Sequence, residues 1–278
     1  MRSFGWQYKF DVSFGIGVTH ARNESPQDPK LDPAKVAEFV RRNVPIGETR
    51  FGPFLTLSAY TTNFVTITDF ATLGLQEDYR LGHEVYVKPL AVLPGSTRTL
   101  TGWAAGAQYT WALRDGLVKA FSESSGELQL EGGDGKTRLT DASVSGGLHV
   151  VTPRLKIGRL VFTATASNRY ENYLNSLVVL GGDGRLRGYP TNYFAGKDFV
   201  VANFEFRSRP VEVLSCQVGG VLFYDVGDAM TGFDNLRVKQ SVGGGLRVLL
   251  PQFNRGGFPC RHVRPQMPPK PNACSNAT

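Results

Sequence analysis

The chain has 278 residues, 41% of them hydrophobic and 20% charged, with a formal net charge of +7. This balance excludes a disordered, low-complexity polymer, and no stretch approaches the roughly 18 unbroken apolar residues of a membrane-crossing helix. The length fits one or two domains, a large all-β barrel included, and 32 glycines beside 11% aromatic residues favour strands over helices.

The opening segment alternates. At every even position from Phe4 to Val18 stands an apolar residue (Phe4, Trp6, Tyr8, Phe10, Val12, Phe14, Ile16, Val18), and at every odd position from Ser3 to Thr19 there is none. A period of two predicts a strand with one apolar and one polar face. The run is longer than the usual globular strand of about 5–6 residues, and about 9–11 tilted residues are enough to cross a bilayer. The opening Met1–Trp6 has no charged region followed by an apolar one, so it is not a signal peptide. Either the protein stays inside the cell or its start lies upstream.

Residues 21–47 break the alternation. Asp32 can cap a helix, Pro33 suits the first helical position, and Val36, Phe39 and Val40 form one apolar stripe. The expectation is a short helix within a long loop.

Alternation then resumes, weakly near 50–61, 81–92 and 116–130 and clearly elsewhere. Trp103, Ala105, Ala107, Tyr109, Trp111 and Leu113 form one apolar set; Ala142, Val144, Leu148 and Val150 another; Leu160, Phe162, Ala164 and Ala166 a third. Val200, Ala202, Phe204 and Phe206 follow, then Leu214, Cys216, Val218, Leu222 and Tyr224, and finally Val242, Leu246, Val248 and Leu250. The opposite face carries Lys9, Asp11, Glu205, Asp225 and Arg247 in mid-strand. About ten or eleven strands are expected over residues 1–255. Alternation alone suits a soluble sandwich as well as a transmembrane barrel; the strand length and the aromatic-rich apolar faces favour the barrel. Residues 256–278, rich in proline, are expected to be an irregular tail.

Enzymatic motifs are absent or incomplete. Gly132–Thr137 ends like a phosphate-binding loop, but Leu130 stands where its first glycine belongs, so a hairpin turn is expected. His20, His83, His149 and His262 share no ligand spacing, and Cys216, Cys260 and Cys274 are odd in number and widely spaced. No metal, zinc site, disulfide framework or cofactor is expected. There is no Gly-x-Ser-x-Gly elbow, and Asn23–Ser25 and Asn276–Thr278 match the glycosylation acceptor only as chance patterns.

The segment Leu180–Pro190 differs. It holds Arg187-Gly188-Tyr189 after a glycine-rich run, and downstream lie Asn203-Phe204-Glu205-Phe206 and Phe223-Tyr224-Asp225-Val226-Gly227. Glu205 and Asp225 fall on the polar face. If that face lines a lumen, two desolvated carboxylates need a cation, and Arg187 can offer a planar, bidentate partner.

With the glycine-rich run Ser241–Pro251 next in order, these motifs resemble the C-terminal β-barrel of the BamA/TamA-type outer-membrane assembly and translocation superfamily, which includes two-partner secretion transporters and bacterial surface-antigen barrels. The resemblance covers about residues 180–255. It implies an antiparallel transmembrane β-barrel in the cell outer membrane, sixteen-stranded in the family, with the Arg-Gly-Tyr loop folded inward as a lock. Arg187, Gly188 and Tyr189 would pin the loop, and Glu205 and Asp225 would receive the arginine. Ten or eleven strands would then be most of a larger barrel, truncated at both ends, and an unclosed sheet should not insert stably alone.

The function implied is a non-catalytic insertase or translocase barrel. Its partners would be outer-membrane lipid, nascent outer-membrane or secreted polypeptides and assembly accessory proteins, with no nucleic acid. Residues 256–278 carry three basic residues and no acid, leaving +4 on the barrel part, so the basic balance does not argue for nucleic acid. The alternative is a passive outer-membrane pore or an anchoring barrel.

Overall fold

A computed structural model describes residues 1–24, 31–130, 137–182 and 185–250. The tail, most of the turn at 132–137 and part of the 180–190 segment lie outside the described residues, as do Cys260, Cys274 and His262. Among the described residues the fold is all-β apart from one α-helix and one short 3-10 turn.

In chain order the elements are β1 (Arg2–Phe4), β2 (Tyr8–His20), α1 (Pro33–Asn43), β3 (Thr49–Thr61), β4 (Asn63–Thr68), β5 (Gln76–Val92), β6 (Leu100–Leu113) and β7 (Gly116–Leu130). There follow β8 (Thr137–Val151), β9 (Gly158–Asn172), β10 (Val178–Leu180), β11 (Phe194–Gly196), β12 (Asp198–Ser208), β13 (Val211–Val213), β14 (Cys216–Met230) and β15 (Lys239–Leu249). The long strands run as an antiparallel meander, β2-β3-β5-β6-β7-β8-β9-β12-β14-β15, within one 13-stranded sheet. Among the described residues no ladder joins β15 to β1 or β2.

The connections sort by end. One end has compact turns, such as Arg114–Asp115, where Arg114 takes a positive φ of 57°. The other end carries the long connections 21–48 and 173–197. In the first of these α1 begins as its sequence dictates, with the Asp32 carboxylate accepting from the Ala34 N–H at 2.9 Å and Pro33 in the first turn.

Two boundaries differ from the alternation. The pattern beginning at Phe4 is not one strand: β1 folds back and pairs antiparallel with residues 10–12 of β2. Gly5 makes the reversal at φ 87°, where a Cβ would lie 2.0 Å from the Tyr8 carbonyl oxygen. Leu214 and Ser215 are likewise outside β14; both have positive φ in the turn before it. Alternation counts side chains and is blind to a backbone reversal that preserves parity.

Many large apolar side chains are exposed, and many charged ones are buried. Exposed apolar side chains run across the sheet, among them Phe14, Ile16, Trp111, Leu160, Phe204, Leu222, Val242 and Leu246. Buried beside apolar residues such as Ile67, Leu117 and Val201 are Asp11, Arg98, Thr110, Asp141, Arg159, Asp198, Asp225 and Asp228. From this polar face Arg159 of β9, Arg207 of β12 and Arg247 of β15 all reach backbone carbonyls of residues 68–71, so the sheet curves toward it and it is the inner face.

One element crosses that inner face. β3 and β4 run consecutively along β5, and the β4–β5 hairpin extends past the ladder. At its tip Ile67 and Phe70 pack into a small apolar core with Leu117, Val151 and Val161, contributed by β7, β8 and β9.

Candidate functional site

The site forms where the connection 173–197 turns inward over β12 and β14. Within that connection β10 and β11 form a two-stranded ribbon, with Val178 opposite Gly196 and Leu180 opposite Phe194. Leu180 is buried with Phe199, Val201 and Ala229, and this second apolar cluster seats the ribbon on the wall. Gly181 has a φ of 118°, and a Cβ there would meet the Pro190 carbonyl oxygen at 2.2 Å. The Gly182 N–H donates to the Tyr189 carbonyl at 3.0 Å, bringing these two residues together.

β12 and β14 are antiparallel neighbours with Asn203 opposite Asp225 and Glu205 opposite Phe223. In this register all four side chains project to the inner face. Arg187 drops onto them. Its Nε donates to Asp225 Oδ2 at 2.7 Å, its Nη2 to Asp225 Oδ1 at 2.6 Å and its Nη1 to Glu205 Oε1 at 2.5 Å. The Arg187 backbone N–H also donates to Asp225 Oδ2, at 3.0 Å. Below the guanidinium plane lies the Phe223 ring, 3.8 Å from Cζ to centroid. Asp225 is fully buried, so its charge is compensated within the protein.

Gly188 and Tyr189 continue the contact. Gly188 has a φ of 85°, a conformation a Cβ would strain, and sits over Ser241 of β15. The Tyr189 hydroxyl donates to the Gln240 carbonyl at 3.0 Å. The five residues singled out in the sequence, Arg187, Gly188, Tyr189, Glu205 and Asp225, therefore meet in one place.

The sequence reading missed the supporting residues. Asn203 donates to the Arg185 carbonyl at 2.5 Å. Arg207 binds the second oxygen of Glu205, at 2.8 Å from Nε. Lys239 pairs with buried Asp228 and lies 5.0 Å from the centroid of Phe194. Asp198 accepts from the backbone N–H groups of Arg169 at 2.8 Å and Gly232 at 2.9 Å, tying the start of β12 to β9 and to the turn after β14. The signal was present in the parity: Arg207 is two residues from Glu205 and shares its face.

A second ionic cluster holds the rest of the long-loop end. Arg98 is buried between Glu48 and Glu127, donating to Glu48 Oε2 at 2.8 Å and Glu127 Oε2 at 3.2 Å, and stacks on Tyr173 at 4.0 Å. Arg50 bridges the same two glutamates. Burial alone would push the Glu48 carboxyl up, but hydrogen bonds from Arg98 and the charge of Arg50 outweigh it and hold that carboxyl below the ordinary glutamate range.

Charged pairs of this kind can hold a segment in place, and they offer no nucleophile–base pair for bond chemistry. Among the described residues no group of three or more His, Cys, Asp or Glu side chains is placed to hold a metal ion. No helix among them is long and apolar enough to cross a membrane, which leaves open crossing by strands. Comparison with protein-family models and with curated proteins finds no match.

Proposed function

We propose that this chain is the barrel wall of an outer-membrane insertase or translocase, non-catalytic, with the Arg187 loop as its internal lock. The observation that carries the reading is the triple grip of Arg187 on Asp225 and Glu205 beneath a sheet whose outer face is apolar. An apolar outer face and a charged interior suit a wall between lipid and a polar lumen. Lipid contacts the outer face, and nascent outer-membrane or secreted polypeptides, with assembly accessory proteins, are the partners. Among the described residues β15 and the part of β2 beyond its short pairing with β1 carry no further partner, which supports the same reading, since open edges in lipid demand one.

A passive pore fits less well. The β4–β5 hairpin tip fills part of the inner face, and a diffusion channel gains nothing from that obstruction.

Depletion in the source cell, combined with single-channel recording of the purified protein, tests the proposal. The expected result is a fall in the level of correctly assembled outer-membrane proteins, with no steady conductance. Steady conductance without any assembly defect overturns it.

A further inference from the structure

The hairpin tip that crosses the inner face is gripped by arginines from across the sheet. Thr68 O accepts from Arg159 Nη2 at 3.0 Å and from Arg154 Nη2 at 3.1 Å. Phe70 O accepts from Arg207 Nη1 at 3.0 Å, and Ala71 O from Arg247 Nη2 at 2.5 Å. These arginines come from β9, the turn before it, β12 and β15, so the tip spans the interior from wall to wall. Its own shape is prepared in advance. The Glu77 carboxylate collects the N–H groups of Ala71 and Thr72 and the Tyr79 hydroxyl, and the Phe70 and Tyr79 rings pack at 4.2 Å. Leu73 is buried beside Gly219 of β14. The tip is a built plug at the short-turn end.

One carboxylate joins this plug to the loop at the opposite end. Glu205 Oε1 takes Arg187, while Glu205 Oε2 takes Arg207, whose other nitrogen holds the Phe70 carbonyl. The chain Arg187–Glu205–Arg207–Phe70 runs through direct ionic and hydrogen-bond contacts only. If Arg187 leaves, Glu205 is free to turn wholly toward Arg207, and the geometry that aims Arg207 at the hairpin is no longer fixed. Freeing the hairpin similarly releases Arg207 to draw Glu205 from the loop. Coupling of this kind is reciprocal.

We infer that the β4–β5 hairpin is a second internal gate, and that Glu205 couples its release to release of the Arg187 loop. With the closures coupled, release at one end favours release at the other. For its long-loop half the inference rests on the lock reading above; the plug stands on its own contacts.

The test uses the full chain with Cys216, Cys260 and Cys274 replaced by serine and spin labels on Leu75→Cys and Lys156→Cys, both exposed positions. Electron–electron distance measurement then reads the docked and released hairpin, and proteinase K cleavage within 173–197 reads the loop. Arg187→Ala is expected to raise loop cleavage and to raise the released hairpin population by at least about 5-fold. In a Glu205→Gln background the same substitution should leave the hairpin population unchanged. Unchanged loop cleavage in Arg187→Ala overturns the lock and the coupling together. Faster cleavage with an unmoved hairpin overturns the coupling alone. Should Arg187→Ala fail to fold, Phe70→Ala reads the coupling in reverse: loop cleavage rises by a similar factor, and an unchanged rate overturns the inference.

Discussion

Asp225 accepts three hydrogen bonds from Arg187 and is fully buried, so the two residues are unequal to a surface ion pair. Removing one partner leaves the other charge desolvated and alone. Asp225→Ala should therefore destabilise the protein by about 3–5 kcal/mol, read as loss of heat-resistant mobility in detergent gels. Gly188→Ala acts through the backbone instead. Holding an alanine at φ 85° costs about 1–2 kcal/mol, so the loop should be cleaved faster while the ionic contacts survive. Glu48 gives a pH dependence with a defined sign. Its carboxyl is held below the ordinary value of 4.5, so the folded state binds fewer protons than the unfolded one in that range. Its contribution is present above about pH 4.5 and is lost as pH falls through the lowered value. Acid unfolding of Glu48→Gln compared with the parent should show a shallower loss of stability below that pH.

At the scale of elements, the apolar contacts of the hairpin tip are few but enclosed. Phe70→Ala removes a ring packed on Tyr79 and the Leu117–Val151–Val161 core and should cost about 3–5 kcal/mol, measured by thermal denaturation in detergent. This hairpin was not legible in the sequence. β4 has only six residues, and the arginines that hold the tip come from positions far along the chain. The long strands were legible, since period-two alternation is a local property set by which face each side chain takes. α1 was legible for the same reason, its cap and first-turn proline being neighbours in sequence. The partners of Arg187 were within reach of parity and motif order, and so was the pairing of Arg207 with Glu205 two residues away, but the backbone carbonyls that Arg207 and Asn203 also hold leave no trace in a sequence.

For the whole molecule, the surroundings of the outer face decide the reading, and one substitution measures them. Leu222 lies in mid-strand on β14 with 63% of its surface exposed. If the face is lipid-covered, Leu222→Arg should cost about 2–4 kcal/mol at mid-membrane depth. If it faces water, the change should stay within about 0.5 kcal/mol. Unfolding of the variant in lipid vesicles separates the two.

The order in which the two closures form follows from where their partners lie. Arg187 finds Glu205 only 18 residues on and Asp225 only 38 residues on. The entropy difference between closing those two spans is about 0.7 kcal/mol. The β12–β14 unit can therefore capture its loop as soon as those strands pair, before the earlier part of the meander has found its place. The hairpin must wait for partners 91, 137 and 176 residues away. By the same measure the span of 176 residues costs about 1.4 kcal/mol more to close than that of 38, so the loop contact is expected to form before the hairpin contact. Asp225→Asn should slow refolding, and Phe70→Ala should chiefly hasten unfolding.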